Sequence, residues 1–415
     1  VYTSYNAGSY DSSDEIYNGH SYPTKLIPSV ERAFNQDLNR YLNDVYVYVE
    51  ADPGQTTGTL RYGIKNPSYV PGAWLAYSTI TLTHFGRKEY IFQGTDSNNP
   101  IDWHTPANWN RNAVPDQYHH VRIEANVNIS SHAEVFSLTI DRNAQLHITS
   151  TGGLSVGAQG IQGAASDGSS IIIDNLQSGA GFLRISPEYH GTMPRATVNY
   201  QTRSTLDTGA NQDATWQYFG APGANCQFTV DYITWLYQWN EKQNWVKQNG
   251  TLTFEPFAGY AITQYGQPTY SLKADPIRTN QTITLTKTPE ALGGMNGDNL
   301  FANSYMAPID VKNFTADDFS GDLDKTFYIF NSGSWNQWNG QNEKDSTLGN
   351  NGSTTPGQYC AIPALSAKYL DSDITTIPPM QGVYVIANKD GASIRLDYNK
   401  HIWQAGTSTD STNLN

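Results

Sequence analysis

The sequence predicts an all-β chain folded as several consecutive domains, and three observations predict it. Apolar residues recur with a period of two over most of the length, as in Val45, Val47 and Val49 or Ile80 and Leu82. The middle of the chain is a train of very short apolar pulses divided by Gly, Asn and Ser, and the last half carries an ordered internal repeat. Composition agrees. A chain of 415 residues is too long for one small core and suggests two to four domains. Its 12% aromatic content is that of a folded chain, because disordered segments are poor in rings. The 27 Tyr and 10 Trp suit pleated, half-buried surfaces, and 35 Gly supply turns while charged residues are held to 15%.

The first module covers residues 1–92. Val30, Phe34, Leu38 and Leu42 fall at four-residue spacing and predict a helix over 29–42. Asn35, Asn39 and Asn43 are poor helix formers and leave a strand-loop reading open. Alternating runs over 45–49, 59–65 and 79–84 then read as strands, with Asp52-Pro53-Gly54 as a turn. The second module covers 93–194. Trp103 and Trp109 open it, and the pulses Val121/Ile123, Val127/Ile129, Leu138/Ile140, Leu146/Ile148, Leu154/Val156, Ile171/Ile173 and Leu183/Ile185 follow. Strands this short cannot each bury a face alone, but stacked as rungs of a parallel solenoid they can. A meandering sandwich is the alternative.

The third module covers 195–405, with halves at about 195–290 and 298–402. Trp216 to Pro222 matches Leu300 to Pro308, and Leu236 to Asn240 with Trp245 matches Tyr328 to Asn331 with Trp335 and Trp338. Phe254 to Ile262 matches Ile377 to Ile386, and Gln281 to Leu285 matches Ala392 to Leu396. The matches keep their order, and the second half carries a polar insertion around 339–355, as a surface loop would. A sandwich built from two similar halves is expected. Residues 406–415 read as a linker or tail.

The formal net charge of −13, with no local Lys/Arg cluster, disfavours nucleic acid and anionic membrane surfaces as partners. No apolar run approaches the roughly 20 residues that span a bilayer. Val1 in place of Met reads as a processed chain or a piece of a longer one, with further domains of the same parent expected. Cys226 and Cys360 could pair in an exported protein or stay as two buried thiols; neither has Cys-x-x-Cys spacing.

Three pieces resemble modules of secreted Bacteroidetes cell-surface proteins. Tyr46 to Gly86, with Gly63-Ile64-Lys65 and Gly72-Ala73-Trp74 before Ile80 and Leu82, resembles the closing strands of carbohydrate-binding-type jelly rolls. The Trp103, Asn108-Trp109 and Pro115 entry followed by Val135 to Ile140 resembles the short β-solenoid of large secreted proteins. Asn303-Ser304-Tyr305 to Asp310, with Ile377 to Gly382, looks like the repeat domain that follows it. The resemblance implies a jelly-roll-like sandwich, then a solenoid, then a repeat sandwich. It also implies export to the cell surface, modular construction, and adhesion or glycan contact.

Aromatic side chains are the leading site candidates, because indole and phenol rings stack on the C–H faces of sugars. They are Tyr69 and Trp74 in the first module, and Trp239, Trp245, Trp335 and Trp338 beside Asn and Gln in the third. The plainer alternative is core or strand-pair packing. Asp317, Asp318, Asp322 and Asp324 around Gly321 offer oxygen ligands for calcium, without helix-loop-helix spacing, and read equally as Asp-rich turns. No other cofactor is indicated. His119 and His120 are adjacent, so in a strand they point to opposite faces and share no metal. Glu50, Glu124, Glu188 and Glu255 show no pairing that marks sugar acid–base chemistry. The expected function is therefore non-catalytic surface binding or adhesion, with glycans or host surface glycoproteins as partners. A structural stalk of a larger surface protein is the alternative, and a polysaccharide-degrading enzyme a distant third.

Overall fold

The computed structural model describes residues 34–35, 40–41, 89–204, 206, 214–266, 268–289, 295–332, 359–370 and 375–404. The chain divides into two units, Val1–Gly86 and Arg87–Asn415. In the first, strands β1 (Phe34–Asn35) and β2 (Arg40–Tyr41) pair antiparallel in the register Phe34↔Tyr41. A helix over 29–42 is therefore not formed. At Phe34–Asn35 and Arg40–Tyr41 the strand-loop reading describes this segment. The strands expected over 45–49, 59–65 and 79–84, and the candidates Tyr69 and Trp74, lie outside the described residues.

The second unit opens with β3 (Glu89–Phe92), β4 (His120–Ile123), β5 (Val127–Ile129), β6 (His132–Val135) and β7 (Ser137–Ile140). It continues with β8 (Leu146–Ile148), β9 (Gly153–Val156), β10 (Ile161–Gln162) and β11 (Ile171–Leu176). Then come β12 (Gly179–Ala180), β13 (Phe182–Ile185) and β14 (Ala196–Gln201). Pairing is parallel along three faces: β3-β4-β7-β10, β5-β8-β11-β14 and β6-β9-β13. The turns β4-β5-β6, β7-β8-β9 and β10-β11-β13 each contribute one strand to each face, with β3 and β14 added at the two ends, so every apolar pulse of this module is a rung. The inward pairs Val127/Ile129, Leu146/Ile148 and Ile171/Ile173 stack in register and are all buried. Each such side chain contributes about 1.5–3 kcal/mol by leaving water.

The coil is plugged at its start. Trp103 and Trp109 are buried edge-to-face at 4.8 Å, and Trp109 Nε1 donates to Trp103 O at 2.8 Å. The strap that follows closes the edge of β3: Gln93 N donates to Asn108 O, and Asn110 N to Ile91 O. Asn108, fully buried, receives Asp96 N and donates to Asn99 O and Asp102 O. An open strand edge is a template for aggregation, and this strap occupies it.

Next come β15 (Gln217–Phe219), β16 (Gln227–Val230), β17 (Thr234–Asn240), β18 (Asn244–Gln248) and β19 (Gly250–Thr253). They are followed by β20 (Tyr260–Gln264), β21 (Thr269–Ala274) and β22 (Gln281–Thr284). The rest are β23 (Asp298–Ala302), β24 (Ile309–Asp310), β25 (Phe319–Ser320), β26 (Thr326–Phe330) and β27 (Tyr359–Pro363), then β28 (Thr376–Ile377), β29 (Gly382–Ile386) and β30 (Ser393–Leu396). Two four-stranded sheets share one order, β15-β20-β17-β18 and β23-β29-β26-β27. This is the structural content of the internal repeat: β15, β17, β18 and β20 correspond to β23, β26, β27 and β29. One sequence match is not a repeat equivalence. Strands 281–284 and 393–396 pair with each other, as Ile283↔Ile394, just as β14 pairs with β21. Similar alternation marked them as copies because both bury alternate residues in one sheet.

The two sheets are joined reciprocally. Phe219 bridges Gln381, and Ala258 bridges Phe301. Gly220 N donates to Met380 O, while Ala302 N donates to Phe257 O. Phe257 and Met380 are the equivalent turn residues and both adopt positive φ, 63° and 66°. The glycines two positions on are equivalent too. A Cβ on Gly259 would lie 2.6 Å from Leu300 O, and one on Gly382 would lie 2.7 Å from Tyr218 C. Each half thus docks its turn on the other's first strand, as in an isologous dimer folded into one chain. One hydrophobic core runs from the coil into the first half, taking in Ile148, Val198, Phe219, Leu236 and Ile262; the second half has its own around Phe301, Phe327 and Val383.

Candidate functional site

The sandwich places two candidate features side by side, an aromatic strip and a polar groove. The strip begins at Trp239 and Trp245, which face each other across β17 and β18 and meet edge-to-face at 4.9 Å. Trp245 leans on Tyr218 at 5.5 Å, Tyr218 on Phe330 at 5.3 Å, and Phe330 on Tyr359 at 5.2 Å. Tyr359 reaches Tyr384 at 5.8 Å and shares a hydroxyl contact of 3.2 Å with Tyr218. The strip therefore crosses from one half to the other. Its rings are half-buried, and Tyr359 is 42% exposed. Burial pushes the Tyr359 and Tyr384 phenols well above their ordinary range, with contributions from Tyr218 at the first and Asp298 at the second, so both stay protonated donors.

Not every predicted contact faces outward. Trp239 Nε1 donates to Asp298 O at 2.7 Å, which fixes the indole as a link between the halves. The neighbouring amides do local work. Asn240 Oδ1 receives Lys242 N and Gln243 N in the hairpin turn, and Gln238 Nε2 reaches Glu255 Oε2. Trp335 and Trp338 lie outside the described residues.

The groove lies between the last coil and the second half. Asn175, Tyr200, Arg203, Gln217, Phe330 and Pro379 are among the residues that line it. Asn175 Nδ2 donates to Pro379 O at 3.0 Å and ties its walls together. Arg203 Nη2 donates to Gln177 O at 2.7 Å, and Arg203 N donates to Gln217 Oε1. Tyr200 stacks on Phe219 at 5.2 Å, and its buried hydroxyl has no hydrogen-bond partner among the described residues. No sequence motif marked Arg203 or Tyr200.

The calcium candidates do not converge. Asp318 caps the turn at Thr315 and pairs with Lys400 at 2.5 Å; Asp324 receives the Tyr328 hydroxyl at 2.6 Å. Asp322 receives Asn388 Nδ2, and Asp317 sits exposed on the short turn Ala316–Asp318. Capping and pairing satisfy these carboxylates separately. Among the described residues no group of three or more His, Cys, Asp or Glu is placed to hold a metal ion. His119 pairs with Asp116 and His120 with Ser137 Oγ, on different contacts. Cys226 and Cys360 are free thiols rather than a disulfide: Cys226 is buried in the first core, and Cys360 packs against the second. Burial pushes the Cys226 thiol up to about 12. The Glu255 carboxylate receives Gln238 Nε2, its amide donates to Tyr260 Oη and its carbonyl receives Ala258 N. Glu241, unmarked by any motif, is buried and receives Thr288 N, Thr288 Oγ1 and Gly297 N, a structural use of a carboxylate. Among the described residues no helix is long and apolar enough to cross a membrane.

Comparison with known proteins finds a distant relative. The chain is 25% identical over 383 residues to the minor fimbrium subunit Mfa5 of Porphyromonas gingivalis, an alignment covering 85% of this chain and 29% of that protein. The chain thus spans less than a third of that relative's length. No protein-family model and no solved structure matches it.

Proposed function

We propose that this chain is a non-catalytic building block of an extracellular surface appendage, exported from the cell and working through contacts with other surface proteins. The observation that carries this reading is the similarity to a fimbrium subunit over 85% of the chain. The architecture supports it. A plugged parallel coil runs into a sandwich whose halves lock reciprocally, and buried polar side chains such as Glu241 and Asn108 serve packing. Glycan contact through the half-exposed aromatic strip is the second part of the reading, supported by the run of rings from Trp245 to Tyr384. Trp239, tied to Asp298 O, belongs to the structure of that strip rather than to its contact face.

Mechanical shearing of intact producing cells tests the reading. Appendages collected by sedimentation are expected to carry the chain at a fixed ratio to the shaft protein through a high-salt wash. Recovery of the chain only from the cytoplasmic fraction contradicts it.

A further inference from the structure

We infer that the groove between the last coil and the second half binds a carboxylate-bearing saccharide, with Arg203 taking the carboxylate. This rests on the glycan-contact part of the reading above and names its ligand class and location.

Charge is the first argument. The chain carries a formal net charge of −13, yet Arg203 is the one charged residue among the described residues lining the groove. Its guanidinium spends a donor on Gln177 O and has no carboxylate partner among the described residues. A guanidinium held beside low-dielectric walls attracts a carboxylate more strongly than one in water, and its planar fork suits two-point contact. Second, Gln217 spends its carbonyl on Arg203 N, which leaves its amide nitrogen to donate to a sugar hydroxyl. Third, Phe330 belongs both to the groove wall and to the aromatic strip, so a ring face adjoins the charged end.

An extended peptide fits less well. The strand edge that an added strand would need, at β15, is already occupied by the Phe219–Gln381 bridge and the bond from Gly220 N to Met380 O.

Calorimetric titration of the purified chain with trigalacturonate, its carboxyl-reduced counterpart and a short acidic peptide tests the inference. Trigalacturonate is expected to bind at least about tenfold more tightly than the neutral trisaccharide or the peptide, the scale of one charge-assisted contact. Arg203→Gln is expected to abolish that preference. Arg203→Lys, which keeps the charge without the fork, retains part of it and shows that a loss is not misfolding. Equal affinity for the acidic and neutral sugars, or an unchanged Arg203→Gln, overturns the carboxylate assignment while leaving glycan contact intact. No binding of either sugar overturns both, and preference for the peptide overturns the inference in favour of a protein partner.

Discussion

His132 sits at the seam where the end of the chain returns to the coil. Its ring stacks on Phe182 at 5.6 Å and meets Trp403 edge-on at 5.0 Å. Burial, reinforced by Arg184 and His104, holds its pKa down at about 4. Nearby, burial also lowers the pKa of His401, which stacks on Phe314 at 4.0 Å beside Asp318. An unfolded histidine takes its proton near 6.5. Between about 6.5 and about 4 the unfolded chain therefore binds more protons than the native one, so stability is complete above that window and is lost as pH falls through it. Thermal unfolding followed from pH 7.5 to 4.5 is expected to show a falling Tm, with a shallower fall in His132→Gln. Parallel curves for the two proteins would contradict the assignment. Neither histidine was legible as special, because its surroundings are assembled from distant segments: Trp403 for His132, and Phe314 and Asp318 for His401.

At the scale of elements, the rungs were the easiest part to read. A pulse such as Leu146/Ile148 has two inward positions and a polar one between them, and the stack reproduces that period of two on each face. The segment 29–42 shows the opposite case. Four-residue spacing suggested a helix, but Phe34–Asn35 and Arg40–Tyr41 form a short antiparallel pair, and Asn35, a poor helix former, sits in it. The strap over β3 was visible as a Trp-rich entry, although its role in closing an edge was not. Asn108 is its centre, with three hydrogen bonds from a fully buried side chain. Asn108→Ala leaves Asn99 O, Asp102 O and Asp96 N without that partner and is expected to cost about 2–3 kcal/mol. The uncovered strand edge adds self-association. A urea titration with light scattering checks both, and a wild-type midpoint without aggregation would show that the strap is dispensable.

Across the whole molecule, the repeat was legible because the two halves keep matching strands in matching order. The reciprocal docking of their turns was not, because it depends on Phe257 and Met380 adopting left-handed backbone that neither residue type announces. The candidate site was the least legible part. Trp239 and Trp245 stood out by type and Tyr218, Phe330, Tyr359 and Tyr384 did not; Asn175 and Pro379 meet across 204 residues of sequence, and Arg203 reaches the groove as a single arginine outside any motif. A groove that fold topology assembles from distant single residues leaves no local pattern. The central claim is that this stack of ladders serves outside the cell as part of a surface appendage. Immunogold electron microscopy of unpermeabilised producing cells, with antibody raised against the purified chain, tests it most directly. Gold is expected along appendages or at their bases, and absent from a strain lacking the gene. Gold confined to the cell interior, seen only after sectioning, would contradict it.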